Sequence, residues 1–124
     1  MEYREFLRSK RERSRPTGFE PGQINAMLFD WQRDIVRWAC RRGRACIFAD
    51  CGLGKTAMQL EWARQCVERA GRSALVVAPL TVGHQTVLEA EKFGMSAKYV
   101  RSGAAVSEPS IYVTNYEMVG HFDI

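Results

Sequence analysis

A glycine-rich segment between two stretches of different periodicity constrains the fold of this 124-residue chain more than any other feature. The segment runs from Ala49 to Thr56 and reads Ala-Asp-Cys-Gly-Leu-Gly-Lys-Thr. The preceding residues, Ala45 to Ala49, are wholly apolar, which is typical of a strand covered on both faces. From Lys55 to Ala70, apolar residues recur at helical spacing. The sequence therefore predicts a strand, a glycine loop and a helix in immediate succession.

The loop matches the pattern Gly-x-x-x-x-Gly-Lys-Thr except at its first position, which is Ala49. Gly52 and Gly54 let the backbone approach a polyphosphate, whose charge the loop amides and the helix N-terminus stabilise. Lys55 is expected to meet the β- and γ-phosphates, and the Thr56 hydroxyl to ligate Mg²⁺. The predicted nucleotide-binding residues of the loop are Cys51, Gly52, Leu53, Gly54, Lys55 and Thr56.

Strand and helix patterns alternate through the rest of the chain. Besides Ala45–Ala49, the predicted strands are Ala74–Ala78, Lys98–Val100 and Ile111–Thr114. The predicted helices are Asp30–Arg42, Lys55–Ala70 and Val82–Phe93. Such alternation implies an α/β fold, with a parallel sheet and helices on both of its faces.

Two of these helices have predicted polar faces. In the first, Asp30 is the expected N-cap, and the apolar stripe consists of Trp31, Ile35, Trp38 and Ala39. Its basic face consists of Arg33, Arg37 and Arg41. In the helix after the loop, the face predicted to be solvated consists of Glu61, Arg64, Gln65 and Glu68.

The N-terminal region differs in composition from the remainder. Residues Tyr3 to Arg13 predict a charged helix, and the proline and glycine residues that follow predict an irregular linker. We therefore expect a basic helix and linker over residues 1–26 and a folded domain over residues 27–124, beginning near Met27.

Composition limits the cellular setting. The four cysteines lack Cys-x-x-Cys spacing, which favours reduced thiols in the cytoplasm. No apolar run approaches the roughly 18 residues that span a bilayer, so no membrane association is expected. The net charge of +4 is concentrated in the N-terminal half and is compatible with a polyanionic partner.

Four segments together resemble the superfamily-two helicases, in particular the Swi/Snf-like branch with its phage members. The first is the aromatic-Gln pair Trp31-Gln32, and the second is the loop itself with its Gly-Leu-Gly-Lys-Thr ending. The third is Ala78-Pro-Leu-Thr81 directly after a strand, and the fourth is Val113-Thr-Asn-Tyr-Glu117. The resemblance covers roughly Phe29 to Val119.

The resemblance implies a P-loop NTPase fold, namely the front part of the first RecA-like lobe of a motor that couples ATP hydrolysis to movement on DNA. Gln32, beside Trp31, would read adenine, because a side-chain amide matches its N6 and N7 atoms. ATP and Mg²⁺ are the implied cofactors, and DNA is the implied partner, with RNA as the alternative. The implied nucleic-acid contacts are Pro79, Thr81 and Thr114. The implied location is the cytoplasm of a bacterium or of a phage-infected cell.

The chain also departs from the family pattern. Where the family has an aromatic residue after its third motif, this sequence has His84-Gln85. An Asp-Glu pair that binds magnesium and orients water is absent, and in the family it follows beyond the position of Ile124. The second lobe with its arginine finger also lies outside this chain. We therefore expect the 124 residues alone to bind nucleotide weakly and not to hydrolyse it at the rate of a motor.

Three other functions compete with this interpretation. A small GTPase would carry Asp-x-x-Gly after the loop, and no aspartate here has that spacing. A small-molecule P-loop kinase would share the loop and would transfer phosphate to an added acceptor. A non-catalytic module would use its arginines to bind nucleic acid or a partner independently of nucleotide.

Overall fold

The computed structural model describes residues 2–12, 15–49 and 54–123, apart from the side chains of residues 10–12. The α-helices are α1 (Tyr3–Glu12), α2 (Asp30–Arg42), α3 (Lys55–Ala70) and α4 (Leu80–Lys92). The strands are β1 (Ala74–Ala78), β2 (Ala97–Tyr99) and β3 (Ile111–Asn115), and 3-10 segments cover Gly103–Ala105 and Tyr116–His121. None of the described helices has the length and apolar character needed to cross a membrane.

The three strands form one parallel sheet in the order β1-β3-β2. Ile111 of β3 lies opposite Ala74 on one side and Ala97 on the other. All five residues of β3 are buried, because this strand has a neighbour along both edges. The predicted α/β class with a parallel sheet is confirmed.

The prediction of helices on both faces of the sheet is wrong for the described residues. Leu60 and Ala63 of α3 and Ala90 of α4 share one buried cluster with Val76 and Val113, so both helices pack on the same face. Residues of a strand alternate between faces, and the opposite face therefore carries Leu75, Val77 and Tyr112. A cleft of about 750 Å³ separates these three side chains from residues of the two 3-10 segments.

The predicted strand Ala45–Ala49 is also wrong, and we call these five residues the exposed run. None of them belongs to a strand, and the first four residues are exposed, with Phe48 96% accessible. Strand structure requires a partner for the backbone N–H and C=O groups. In the described part of the chain no strand lies beside the exposed run.

The segment between α1 and α2 has the irregular backbone predicted of a linker, but it packs against the helices. Phe19 N donates to Cys40 O (2.9 Å), and Gly22 N donates to Gln65 Oε1 (2.9 Å). Ile24 and Leu28 are buried in a second cluster whose other members are Val36, Cys40, Ala57 and Met58. This segment therefore ties α2 to α3.

A buried polar network also connects this segment to α3. It shows that the prediction of a solvated face on α3 is wrong in part. Glu61 is fully buried and Gln65 nearly so, whereas Arg64 is partly exposed and Glu68 is exposed. Glu61 accepts from Gln65 Nε2 (3.0 Å) and Arg64 Nε (3.0 Å), and Arg64 also donates to Gln23 O (3.0 Å). The hydrogen bond from Arg64 to Glu61 raises the pKa of the guanidinium above its usual value. The buried carboxylate is thus satisfied by a partner that remains partly exposed.

Candidate functional site

The glycine loop is described at its two ends. Ala49 ends the exposed run, and Gly54, Lys55 and Thr56 begin α3, whereas the predicted ligands Cys51, Gly52 and Leu53 lie outside the described residues. Gly54 is the N-cap of α3 with φ 71° and ψ 37°, in the left-handed region that glycine adopts without strain. Lys55 is exposed and Thr56 is half-buried in the first turn. The pattern therefore coincides with a helix N-terminus, as predicted.

Gln32 lies directly against this helix N-terminus. Gln32 is buried, with 6% of its surface exposed, and a Cβ atom at Gly54 would overlap Gln32 Nε2. Gln32 Oε1 accepts from Phe29 N (2.9 Å), which stabilises the start of α2. Two residues separated by more than twenty positions in the sequence are thus in contact. Any other residue at position 54 would be strained at this positive φ and would have to displace the Gln32 amide.

Helix α2 presents a different face to the core than predicted. It begins at Asp30 with Phe29 as N-cap, and its buried residues are Gln32, Val36, Ala39 and Cys40. Trp31 is 41% exposed and Trp38 is 49% exposed. The two tryptophans therefore lie beside the buried stripe instead of within it, and Trp31 is accessible next to Gln32.

Lys55 borders two clefts. On the α4 side, a cleft of about 520 Å³ brings Gly54, Lys55 and Thr56 together with Glu89 and Lys92. On the α2 side, a cleft of about 360 Å³ adjoins the exposed run. Both volumes fall within the range of small-molecule sites, and the larger cleft contains the described residues predicted to meet phosphate and magnesium.

The donor types in the larger cleft fit a magnesium–nucleotide complex better than a free metal ion. Mg²⁺ prefers oxygen ligands and retains water, so one hydroxyl from Thr56 and phosphate oxygens are a suitable set. In the described part of the chain, no group of three His, Cys, Asp or Glu side chains is placed to hold a metal.

The predicted nucleic-acid residues are placed differently from one another. Pro79 and Thr81 are exposed at the carboxyl end of β1, where α4 begins at Leu80. Thr114 is fully buried, and its Oγ1 has no hydrogen-bond partner among the described residues. A phosphate could reach Thr114 only if the segments that cover it moved, whereas Pro79 and Thr81 are accessible as they stand.

A cluster at the same edge of the sheet was not predicted from the sequence. The rings of His84 and Tyr99 stack with their centroids 4.3 Å apart, and Asn115 Nδ2 donates to Tyr99 Oη (2.6 Å). Asn115 Oδ1 accepts from Met118 N (3.1 Å) and so caps the last 3-10 segment. The only signal in the sequence was His84 in place of the family's aromatic residue, and it did not indicate Tyr99 as the partner.

The basic face of α2 is neutralised by neighbouring carboxylates. Arg33 pairs with Asp30, Arg37 with Asp34 (2.9 Å) and Arg41 with Glu20 (2.6 Å). These six side chains lie at the surface, so the pairs contribute little to stability. The hydrogen bond from Arg41 lowers the pKa of Glu20. Helix α2 therefore presents alternating charges instead of the continuous positive face that its arginines suggest.

Comparison with known proteins adds no family to this description. No protein-family model matches the chain, and no curated protein sequence matches it either.

Proposed function

We propose that this chain is the ATP-binding front part of a nucleic-acid-dependent ATPase of the superfamily-two helicase kind, a P-loop protein with a RecA-like first lobe. The observation that carries the proposal is the contact between Gln32 and Gly54. In the resemblance, these positions belong to two separate motifs, the adenine reader and the phosphate loop. Their packing against each other is what a single nucleotide site requires, and the sequence separation between them makes such packing informative.

The chemistry of the site supports nucleotide binding. Gly54 leaves room where a side chain would intrude, Lys55 supplies an exposed positive charge, and α3 directs its N-terminal partial charge at the same point. Thr56 would hold Mg²⁺ together with the phosphate oxygens, and the metal would offset the negative charge of the phosphates. In the resemblance the side-chain amide of Gln32 would read adenine, and here Gln32 Oε1 accepts from Phe29 N (2.9 Å) beside Gly54.

Hydrolysis coupled to movement on DNA requires parts beyond this site. The 124 residues contain no Asp-Glu pair after an apolar strand, and the proposal assigns this pair and an arginine finger on a second RecA-like lobe to a larger assembly. In the proposal the 124 residues bind the nucleotide, and the Asp-Glu pair and second lobe hydrolyse it and couple hydrolysis to movement. DNA is the proposed track, with RNA as the alternative, and the cytoplasm is the proposed location.

Thermal unfolding in the presence of nucleotides tests the proposal. A ligand that binds only the folded state raises its stability by RT ln(1 + [L]/Kd), about 2.7 kcal/mol at 100 times Kd. We expect Mg-ATP to raise the melting temperature more than Mg-GTP, and Lys55→Ala to abolish both shifts. Gln32→Glu should reduce the difference between ATP and GTP, because a carboxylate cannot donate to adenine N7.

The control is Lys92→Ala, which removes an exposed lysine of the same cleft from outside the motif. It should leave most of the ATP shift intact. Equal loss in Lys55→Ala and Lys92→Ala would reduce the site to a nonspecific anion-binding cleft. Absence of any shift with millimolar Mg-ATP would refute nucleotide binding by these residues.

A further inference from the structure

Helices α1 and α2 are both rich in arginine but differ in how that charge is neutralised. In α2, Arg33, Arg37 and Arg41 each have a carboxylate partner. In α1, Arg4 and Arg8 have no ion pair among the described residues, and both are exposed. Unlike these three arginines of α2, Arg4 and Arg8 therefore have charge that is available to a partner.

The overall charge agrees with this contrast. The first fifteen residues contain six Lys or Arg and three Glu, so they carry a net +3 of the chain's +4. Arg4 and Arg8 are four positions apart and lie on one side of the helix. Helix α1 and the residues next to it therefore carry a local excess of positive charge.

Packing does not explain the composition of α1. Among residues 3–9, whose side chains the structure describes, none belongs to either buried cluster and none is buried. Its apolar side chains are accessible as well, with Tyr3 73% exposed and Phe6 44% exposed. A helix that contributes nothing to the core and exposes both arginine and aromatic side chains is suited to contact something outside the chain.

We propose that α1 is a docking element for single-stranded nucleic acid, in which Arg4 and Arg8 contact phosphates and Tyr3 stacks on a base. Arginine charge beside exposed aromatic rings is the combination that binds single strands without sequence preference. Binding to a membrane surface would need a broader apolar face, since it scales with buried apolar area, and α1 exposes only Tyr3, Phe6 and Leu7. The choice of nucleic acid over an acidic protein rests on the proposed function.

Salt-dependent binding of the full chain to a labelled oligothymidylate measures this contact directly. Each phosphate contact to a single strand contributes about 0.7 to the slope of log K against log salt. Arg4→Gln/Arg8→Gln should therefore lower the slope by about 1.4 and weaken binding about tenfold at 0.2 M salt. The matched control is Arg33→Gln/Arg37→Gln, which removes two paired arginines from α2 and should change affinity less than about twofold. Tyr3→Ala should weaken binding without changing the slope, because stacking releases no counterions.

Three outcomes would overturn the proposal. The first is an unchanged slope in the α1 variant, and the second is an equal loss in the α2 variant. The third is binding of the chain to phosphatidylserine vesicles more tightly than to the oligonucleotide, with the same dependence on Arg4 and Arg8. Nucleotide-dependent thermal shifts of the same proteins separate this proposal from the proposed function, since α1 should bind the oligonucleotide in Lys55→Ala as well.

Discussion

Strand β3 and the exposed run are both five residues long but differ in their exposure to solvent. The exposed run, Ala-Cys-Ile-Phe-Ala, is wholly apolar, yet its first four residues are accessible. Strand β3, Ile-Tyr-Val-Thr-Asn, includes two polar residues and is buried throughout. β3 has strands along both edges and helices α3 and α4 on one face. Burial of a strand therefore depends on its neighbours more than on its own apolar content.

The same substitution in each segment should show the largest difference. Ile111→Ala removes a side chain that is 3% exposed in the main cluster, and we expect it to lower the free energy of unfolding by about 3 kcal/mol. Ile47→Ala acts on a side chain that is 37% exposed and should cost less than about 0.5 kcal/mol. Urea denaturation of both variants measures the difference. Equal losses would mean that the exposed run is buried in solution.

A buried and an exposed ion pair can be compared in the same way by the loss of stability when each is broken. Arg64→Met leaves the fully buried Glu61 without its cation and should cost about 2 kcal/mol, less than for a fully buried pair because Arg64 is partly solvated. Arg37→Met breaks a pair with the exposed Asp34 and should cost less than about 0.5 kcal/mol. Chemical denaturation at neutral pH tests both. A small effect of Arg64→Met would show that Glu61 is not buried as an ion.

Gly54 and Gly71 flank helix α3 at its two ends, so the effects of substituting them can be compared. Both glycines end or begin α3 at positive φ, 71° and 66°, but only at Gly54 would a Cβ meet a neighbour, Gln32. Gly71→Ala should cost about 1 kcal/mol from backbone strain alone, and Gly54→Ala somewhat more, about 1 to 2 kcal/mol. Only Gly54→Ala should also abolish the thermal shift with Mg-ATP. Loss of that shift in both variants would point to a general loss of helix α3.

Thiol chemistry compares the two environments without altering stability. Burial raises the pKa of the Cys40 thiol to about 11, so Cys40 should stay protonated and unreactive at pH 8. Cys46 lies in the exposed run and should be alkylated rapidly. Iodoacetamide labelling followed by peptide mass spectrometry gives the two rates, and similar rates would contradict the burial of Cys40.

The Cys40 shift also predicts a weak dependence of stability on pH. The pKa of Cys40 in the folded state lies above the ordinary thiol value of 9.0, so the unfolded state loses the proton first. The stabilisation is present below pH 9 and is lost as the pH rises towards 11. Cys40→Ala should flatten the fall in melting temperature between these values.

Much of the local structure was predictable because it depends on neighbours in the sequence. Helices α2 and α3 end at the predicted glycines and α3 begins at Lys55 as predicted, but the N-cap of α2 is Phe29 and not Asp30. Strands β1 and β3 fall within one residue of their apolar runs. Strand β2 was displaced by one residue, and α4 begins two residues earlier than expected, directly after Pro79. Apolar periodicity and the residues that begin or end an element are properties of short stretches of sequence, so they can be recognised without the fold.

The site was predictable in part. The pattern around Lys55 and Thr56 identified a helix N-terminus, and the resemblance paired it with Gln32, which the structure places against Gly54. The stack of His84 on Tyr99 was not predicted, because it joins a helix and a strand through a contact that no local pattern records.

The sequence by itself determined the alternation of helix and strand, the glycine loop at the start of α3 and the unequal distribution of charge. Only the tertiary structure decided that α3 and α4 share one face of the sheet, that Glu61 is buried and that the exposed run has no strand partner among the described residues. The physical reason is that propensity acts within a few residues, whereas burial and strand pairing require surfaces from distant parts of the chain.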